Sequence, residues 1–497
     1  MDSSTVPSRP ERGRRRQWNG EALKALFDTA ALTKPWAKGF QSFNRDCVSS
    51  VAEVRGSIPE RLRGTLYRNG PARHERGGQR YGHRWDGDGM IQQFRFSDEG
   101  VSHLGRYVQT QKYSAESLQD RFLVSAFGTL LPGAERVPDP IDKANSANIN
   151  VLHFGGELLA LWEPGSAYRL DAATLETRGL KVWGPEVVGK PFSAHPRILR
   201  NGELWNFGAD PLSGELTLYN AAPDGRLLRS HVIKVEHLPP THDFAVTSHH
   251  LVFLLSSMTL HKERLMAGSS FAEACEWSPG LGMRVLTIDK RDWSRRFYSL
   301  PPGCLFHIAN AWEDEQGVIR LEYMGATEPV SLLSGWAVMR GEYRHHEGAR
   351  LKSVVLDPMR GTATQLVLGF QEAEFPIVDA ADVGVRHRRV LCLERGQSRS
   401  LESPGFDQVA LINVEEGEAQ RFVYGDDWLV EEHVFARAHD EERSSWVVGT
   451  AIDMRANETV VSVFESNNIS DGPVSQARFP YALPLGLHGT FHPAPAT

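Results

Sequence analysis

Apolar positions along this chain recur at two periods, and the shorter one dominates. Helical spacing is confined to one stretch near the start. From Asn19, an N-cap residue, Leu23, Leu26, Phe27 and Ala30 follow at the spacing of an amphipathic helix, and Pro35 ends it. That helix either docks on the body of the protein or rests on a membrane surface, and the residues support both readings equally. Beyond it the pattern is of short strands, with turn signals about every ten residues, the spacing of all-β sandwiches, barrels and propellers. Met90 to Phe96 and Val101 to Thr110 flank Asp98-Glu99-Gly100 as hairpin arms do, and Ile149 to Phe154 and Glu157 to Trp162 flank Gly155-Gly156. Further hairpins are predicted through Asn201-Gly202, Asp224-Gly225, Glu315-Gln316-Gly317 and Met359-Arg360-Gly361. Strands enough for about seven four-stranded blades, at roughly 60 to 65 residues each, fit between Asp46 and Phe491. No WD-type signature repeats, so any repeat is structural rather than written in the sequence.

Composition narrows the class of partner. The chain has 497 residues, 41% hydrophobic and 24% charged, with a formal net charge of -7, which argues against a nucleic-acid surface and toward a small or apolar ligand. Cys47, Cys275, Cys304 and Cys392 are scattered without CxxC spacing, so neither a zinc knuckle nor a disulfide framework is indicated, and a reducing, cytoplasmic location is expected. No apolar run approaches the roughly 18 residues of a membrane span; the longest, Leu251 to Leu255, is strand-sized. Residues 1–18, rich in Ser, Pro and Arg without a following apolar stretch, read as a disordered basic tail. Residues 19–497 read as one β-propeller domain that includes the amphipathic helix.

The chemistry-bearing motifs are mostly absent. There is no GxSxG elbow, P-loop, GxGxxG or HExxH, which removes support from hydrolase, kinase and zinc-protease readings. Asp86-Gly87-Asp88-Gly89 begins like a calcium loop, but its glycine is misplaced and Ser97 stands where a bidentate glutamate belongs, so a strand-entry turn is expected. The adjacent pairs His249-His250 and His345-His346 read as solvated turns. Four other histidines ask for a common purpose: His195 before Pro196, His242 before Asp243, His307 in Phe306-His307-Ile308, and His488 between Leu487 and Gly489 near the terminus. Each precedes an apolar or strand-like run, and four separate segments converge on one axis in a radially repeated fold. A metal held there by all four is the expectation.

The surroundings of those histidines resemble the carotenoid cleavage oxygenases over nearly the whole chain. Gly64-Thr65-Leu66-Tyr67-Arg68-Asn69-Gly70-Pro71, Asp86-Gly87-Asp88-Gly89-Met90, Arg106-Tyr107-Val108-Gln109-Thr110, Ser193-Ala194-His195-Pro196-Arg197, His242-Asp243-Phe244 and His307-xx-Asn310-Ala311 stand in that family's order. The resemblance implies an all-β fold, a seven-bladed β-propeller with one Fe(II) on its axis, capped by loops and short helices around an apolar tunnel. It implies His195, His242, His307 and His488 as the iron ligands. Behind them it implies Glu163 serving His242, Glu374 serving His307 and Glu432 serving His488, with His195 lacking a carboxylate partner. His433 stands where the family has proline, and Glu431 adjoins Glu432, so that register is the weakest part of the correspondence.

The activity so implied is dioxygenase cleavage of a conjugated C=C bond in an apocarotenoid or carotenoid, with O2 and a small apolar substrate as partners. Peripheral membrane contact to extract the substrate fits, and the oligomeric state is open. Three rivals stand beside it: a stilbenoid cleaver of the same family, an isomerase with the same iron site, and a metal-free propeller acting as a binding module. Stilbenoid members carry lysine just before the first of those glutamates, where this chain has Trp162, which is expected to contact the substrate.

Overall fold

The structure is a computed structural model and describes residues 18–134 and 138–495. The expected tail, residues 1–18, lies outside the described residues except for Trp18. Seven antiparallel sheets of four or five strands form a ring, a seven-bladed propeller. In chain order their axis-lining strands are His488–Pro493 for blade 1, Asn150–Phe154, Arg197–Ile198, Ala245–Val246, Cys304–Glu313, Ala373–Ile377, and Trp428–Ala436 for blade 7. All six predicted hairpins are present; Gly155, Gly202, Gly225, Gly317 and Gly361 turn with positive φ, where glycine carries no steric cost.

Blades pack face to face, so their middle strands are buried on both sides and read as continuous apolar runs rather than alternating ones. The run Leu251 to Leu255 is such a strand, in blade 4, every residue buried. Between blades 4 and 5, Val252, Leu254 and Val285 meet Leu321, Tyr323 and Val354; between blades 6 and 7, Leu393 and Leu411 meet Val447 and Phe464. Both chain ends close the ring. His488–Pro493 pairs with Gly64–Arg73, setting Asn69 opposite His488, while Glu53–Gly56 adds the outer strand to blade 7 beside Ser475–Phe479.

Short helices and loops cap one end of the ring, among them Gln111–Gln119, Lys262–Met266, Phe271–Ala274 and Val330–Met339. The amphipathic helix, Gly20–Ala31, is docked on the body: Asn19 caps it, and Phe27 is buried among Trp36, Tyr81, Val338 and Met339. The Arg80 guanidinium lies 3.4 Å from the Phe27 ring centroid, while Leu26 and Leu32 stay exposed. No described helix is long and apolar enough to cross a membrane.

Asp86-Gly87-Asp88-Gly89 is the turn into the strand Asp88–Ser97, as expected. Its carboxylates are taken up by protein groups. Asp86 accepts from the Gly128 amide and the Thr129 hydroxyl at 2.8 and 2.6 Å. Asp88 accepts from Arg76 at 2.7 Å and Lys112 at 2.6 Å, and Glu116 lies 3.1 Å from the same ammonium.

Candidate metal centre

Strands alternate their side chains strictly, so an axis-lining strand aims a residue at the centre only where its register permits or is broken. Three of the seven break it. Register shifts fall between Leu305 and Ile308, Glu374 and Ile377, and Val430 and His433, and they bracket or adjoin His307, Glu374 and Glu432. Bulges re-aim side chains in this way. The second is the sharpest, because Phe375 takes φ +56, a left-handed conformation that a bulky residue rarely adopts. His195 and His242 come from the segments just before the axis strands of blades 3 and 4, and His488 opens that of blade 1.

Together these elements bring His195, His242, His307 and His488 to one point, with one ring nitrogen from each lying within 4.8 Å of all the others. The Nε2 atoms of His195 and His242 are 2.9 Å apart, and those of His307 and His488 are 3.1 Å apart. Three of the rings are fixed from behind. His242 Nδ1 donates to Glu163 at 2.5 Å, His307 Nδ1 to Glu374 at 2.5 Å, and His488 Nδ1 to Glu432 at 2.9 Å. Those bonds place the tautomeric proton on Nδ1 and leave Nε2 as a bare lone pair. His307 and His488 therefore present two acceptors to each other, a contact that only a proton or a cation between them makes favourable. Burial holds His195 well below the ordinary histidine range, helped by the other three rings and Arg197, and burial likewise lowers His488. For His307 burial works the same way, but the Glu374 carboxylate outweighs it and raises the pKa.

The three central segments are clamped by one ion pair. Arg197, two residues beyond His195, bonds Asp243 beside His242 at 2.8 Å and donates to the Ile308 carbonyl, while Asp243 accepts from the Ile308 amide at 2.8 Å. The fourth segment is held by paired glutamates with separate tasks. Glu432 grips His488 and also accepts from the Gly489 amide at 2.8 Å, whereas Glu431 accepts from the Gly486 amide. Arg68, 2% exposed, lies 3.2 Å from Glu432 and 3.8 Å from Glu431 and offsets their charge. His433 turns away from the axis, between the Glu431 carbonyl and the Tyr424 hydroxyl.

Above the histidines a cavity of about 630 Å³ runs beneath the cap, reaching His242, His307, His488, Glu163 and Glu374. Its walls are largely aromatic and aliphatic: Trp85, Phe127, Trp162, Phe271, Phe306 and Phe375. Phe306 lies 5.4 Å from His242, and Phe375 lies 5.4 and 5.3 Å from His307 and His488, ring to ring. A site with these features combines four imidazole donors, three carboxylates and a largely apolar chamber.

The family model described as retinal pigment epithelial membrane protein matches residues 40–493. The chain belongs to that family, the carotenoid oxygenases. It is 28% identical over 477 residues to the apocarotenoid-15,15'-oxygenase of Synechocystis, covering 92% of this chain and 96% of that one. It is 25% identical to the lignostilbene-alpha,beta-dioxygenase isozyme III of Sphingomonas paucimobilis, covering 88% and 93%. A solved structure of a variant Synechocystis apocarotenoid oxygenase superposes with a TM-score of 0.84 at 25% identity, covering 93% of this chain and 98% of that one.

In this carotenoid oxygenase the four histidines singled out in the sequence converge, and each of the three glutamates stands behind the histidine expected of it. His195 has no carboxylate partner among the described residues. Trp162 lies in the cavity wall beside Glu163. In the two pairs read as solvated turns His249 and His346 are exposed, while their neighbours lie against carboxylates. His250 bonds the buried Glu313 side chain at 2.7 Å, and His345 lies 3.4 Å from Glu372. Sequence reasoning missed Phe306, Phe375, Phe406 and Trp85. Phe306, Phe375 and Trp85 carried a signal in their adjacency to His307, Glu374 and Asp86, whereas nothing local marks Phe406.

Proposed function

We propose that this chain is a non-haem iron(II) dioxygenase that cleaves one conjugated C=C bond of an apocarotenoid or carotenoid to two carbonyl products. One observation carries the reading: four Nε2 atoms face a single point at the floor of an apolar cavity, with carboxylates behind three of them. The donor set fits the ion, because imidazole suits Fe(II) and four neutral ligands leave its charge undiminished with up to two positions open. When bound there by His195, His242, His307 and His488, iron(II) supplies the binding and activation of dioxygen. Glu163, Glu374 and Glu432 would keep three ligands in the Nδ1–H tautomer, raise the basicity of their Nε2 atoms and offset the charge of the centre.

The remaining task is positioning. No acid or base near the centre has to act on an electron-rich alkene. Phe306, Phe375, Trp85 and Trp162 would hold a flat polyene so that one double bond lies over the floor, and they exclude water from it. The similarity to the Synechocystis oxygenase supports this substrate class. Peripheral contact with a membrane, from which such a substrate is drawn, and a cytoplasmic location belong to the same reading.

The test is aerobic incubation of iron-loaded protein with apocarotenals, full-length carotenoids and hydroxystilbenes, with products identified by mass. Two carbonyl fragments from a polyene are expected. Turnover of a hydroxystilbene at least as fast as any polyene would transfer the reading to stilbenoid cleavage, and a product of unchanged mass would transfer it to isomerisation. A chain that retains no iron would be a binding module.

A further inference from the structure

In the wall of the cavity one half-buried cation is left without a partner among the described residues. Arg84 lines the wall, half-buried, and among the described residues its guanidinium makes no hydrogen bond or ion pair. The other cations near it are accounted for. Lys190, also in the wall, is bonded to Glu215 at 2.6 Å, and Arg344 is exposed to solvent. The buried Arg76 and Arg80 hold Asp88 and Glu75. Arg84 instead lies against rings, with its guanidinium carbon 6.0 Å from Phe40 and 5.8 Å from Trp85. Burial pushes its pKa down to about 10, so it keeps its charge at neutral pH without a counter-ion. Beside it Tyr343, half-buried and also lining the cavity, offers a hydroxyl that has no hydrogen-bond partner among the described residues.

From this we infer that Arg84, with Tyr343, is a subsite for the carboxylate end of an elongated apolar substrate, so that polyene acids are preferred to the corresponding aldehydes and alcohols. The inference rests on the polyene reading above and specifies its end group. A half-buried guanidinium set against aromatic rings gains from an anionic partner, and its planar fork matches a carboxylate with two parallel bonds; a neutral oxygen would satisfy the donors but not the charge. The location suits an end group rather than the reacting bond. Trp85 separates Arg84 from the centre, lying 5.3 Å from Phe306, which lies 5.4 Å from His242. A ligand anchored at Arg84 must therefore cross an aromatic stretch before it reaches the histidines, which a rigid conjugated chain does and a compact phenol does not.

Retinoic acid, retinal and retinol share one polyene and differ at its end, so they test the inference directly. Binding to the full-length, metal-free protein is followed by quenching of its tryptophan fluorescence, to which Trp85 and Trp162 contribute from the wall. Retinoic acid is expected to bind at least tenfold tighter than retinol. Arg84→Met should weaken retinoic acid binding about 10- to 100-fold, the scale of charge-assisted hydrogen bonds, and erase the preference for the acid, while Arg84→Lys retains part of it. Equal affinity for all three ligands in the unaltered protein would overturn the inference and leave the polyene reading standing, whether or not the variants fold. So would an acid-to-alcohol ratio unchanged in Arg84→Met. Failure to bind any of the three would strike the polyene reading itself.

Discussion

Two buried ionic clusters in this molecule look alike in composition and differ in balance. Under the cap, Arg76, Asp88, Lys112 and Glu116 are each at most 3% exposed and contribute two positive and two negative charges, bonded to one another at 2.6 to 3.4 Å. On the axis, three carboxylates face three imidazoles, a fourth imidazole has no carboxylate among the described residues, Arg68 lies on Glu431 and Glu432, and Arg197 is taken up by Asp243. The first set is complete in itself, and its effect is to fix the turn at Asp88 and the helix Gln111–Gln119 beneath the cap. The second leaves lone pairs pointed at one another. A buried polar set that closes on itself is architecture, whereas one left short of positive charge describes a ligand.

Breaking each cluster should therefore have different consequences. His195→Ala, His242→Ala, His307→Ala and His488→Ala are each expected to abolish turnover and iron retention with the strand content unchanged, read by metal analysis and circular dichroism. His249→Ala, on an exposed ring, should leave turnover as it is. Full activity in any of the four would remove that histidine from the centre. Lys112→Met should do the reverse. It leaves Asp88 and Glu116 each short of a buried counter-charge, so denaturant unfolding should show a loss of about 3–5 kcal/mol while iron per folded chain stays constant. Iron lost in step with stability would mean that the two clusters are not separable.

The comparison sharpens at blade 7, where two adjacent glutamates do different work. Glu163→Gln, Glu374→Gln and Glu432→Gln should lower iron retention or activity about 10- to 100-fold, the usual scale when the group behind a ligand is lost. Glu431→Gln should not reach that scale, because its carboxylate bonds the Gly486 amide and faces no histidine. Exchanged effects for Glu431 and Glu432 would place the active carboxylate one residue away.

Much of this arrangement is legible in the residues, and the parts that are not share a cause. Hairpins announce themselves through Gly155, Gly202 and Gly225, where a left-handed turn needs glycine. The histidines stand out because His488 between small and apolar neighbours, or His195 before Pro196, is a poor core residue. The bulges leave no such mark. Nothing local in Glu374-Phe375-Pro376 says that Phe375 takes positive φ or that Glu374 swings onto His307; both are set by tertiary packing. Ring closure is equally silent, since nothing local in Glu53–Gly56 says that it completes a blade built at the other end of the chain. Arg84 resembles any arginine in a turn until the cap encloses it.

The smallest expected effect concerns the wall rather than the charges. Trp162 occupies the position where stilbenoid members of the family carry lysine, next to Glu163, and its flat apolar indole suits a polyene where an ammonium would suit a phenolic oxygen. Trp162→Lys removes apolar contact and places a charge near the balanced Glu163–His242 pair, which is costly in a largely apolar chamber. Turnover of an apocarotenal should fall several-fold, about the value of one displaced aromatic contact, with iron occupancy matched between the proteins. Gain of hydroxystilbene cleavage is not required, because one residue does not reshape the remaining wall of Trp85, Phe306 and Phe375. Rates are compared with detergent-dispersed apocarotenal and a soluble hydroxystilbene. An unaltered apocarotenal rate in Trp162→Lys would show that the substrate does not lie along the Glu163 side of the cavity, and would move the contact surface toward Phe306 and Trp85.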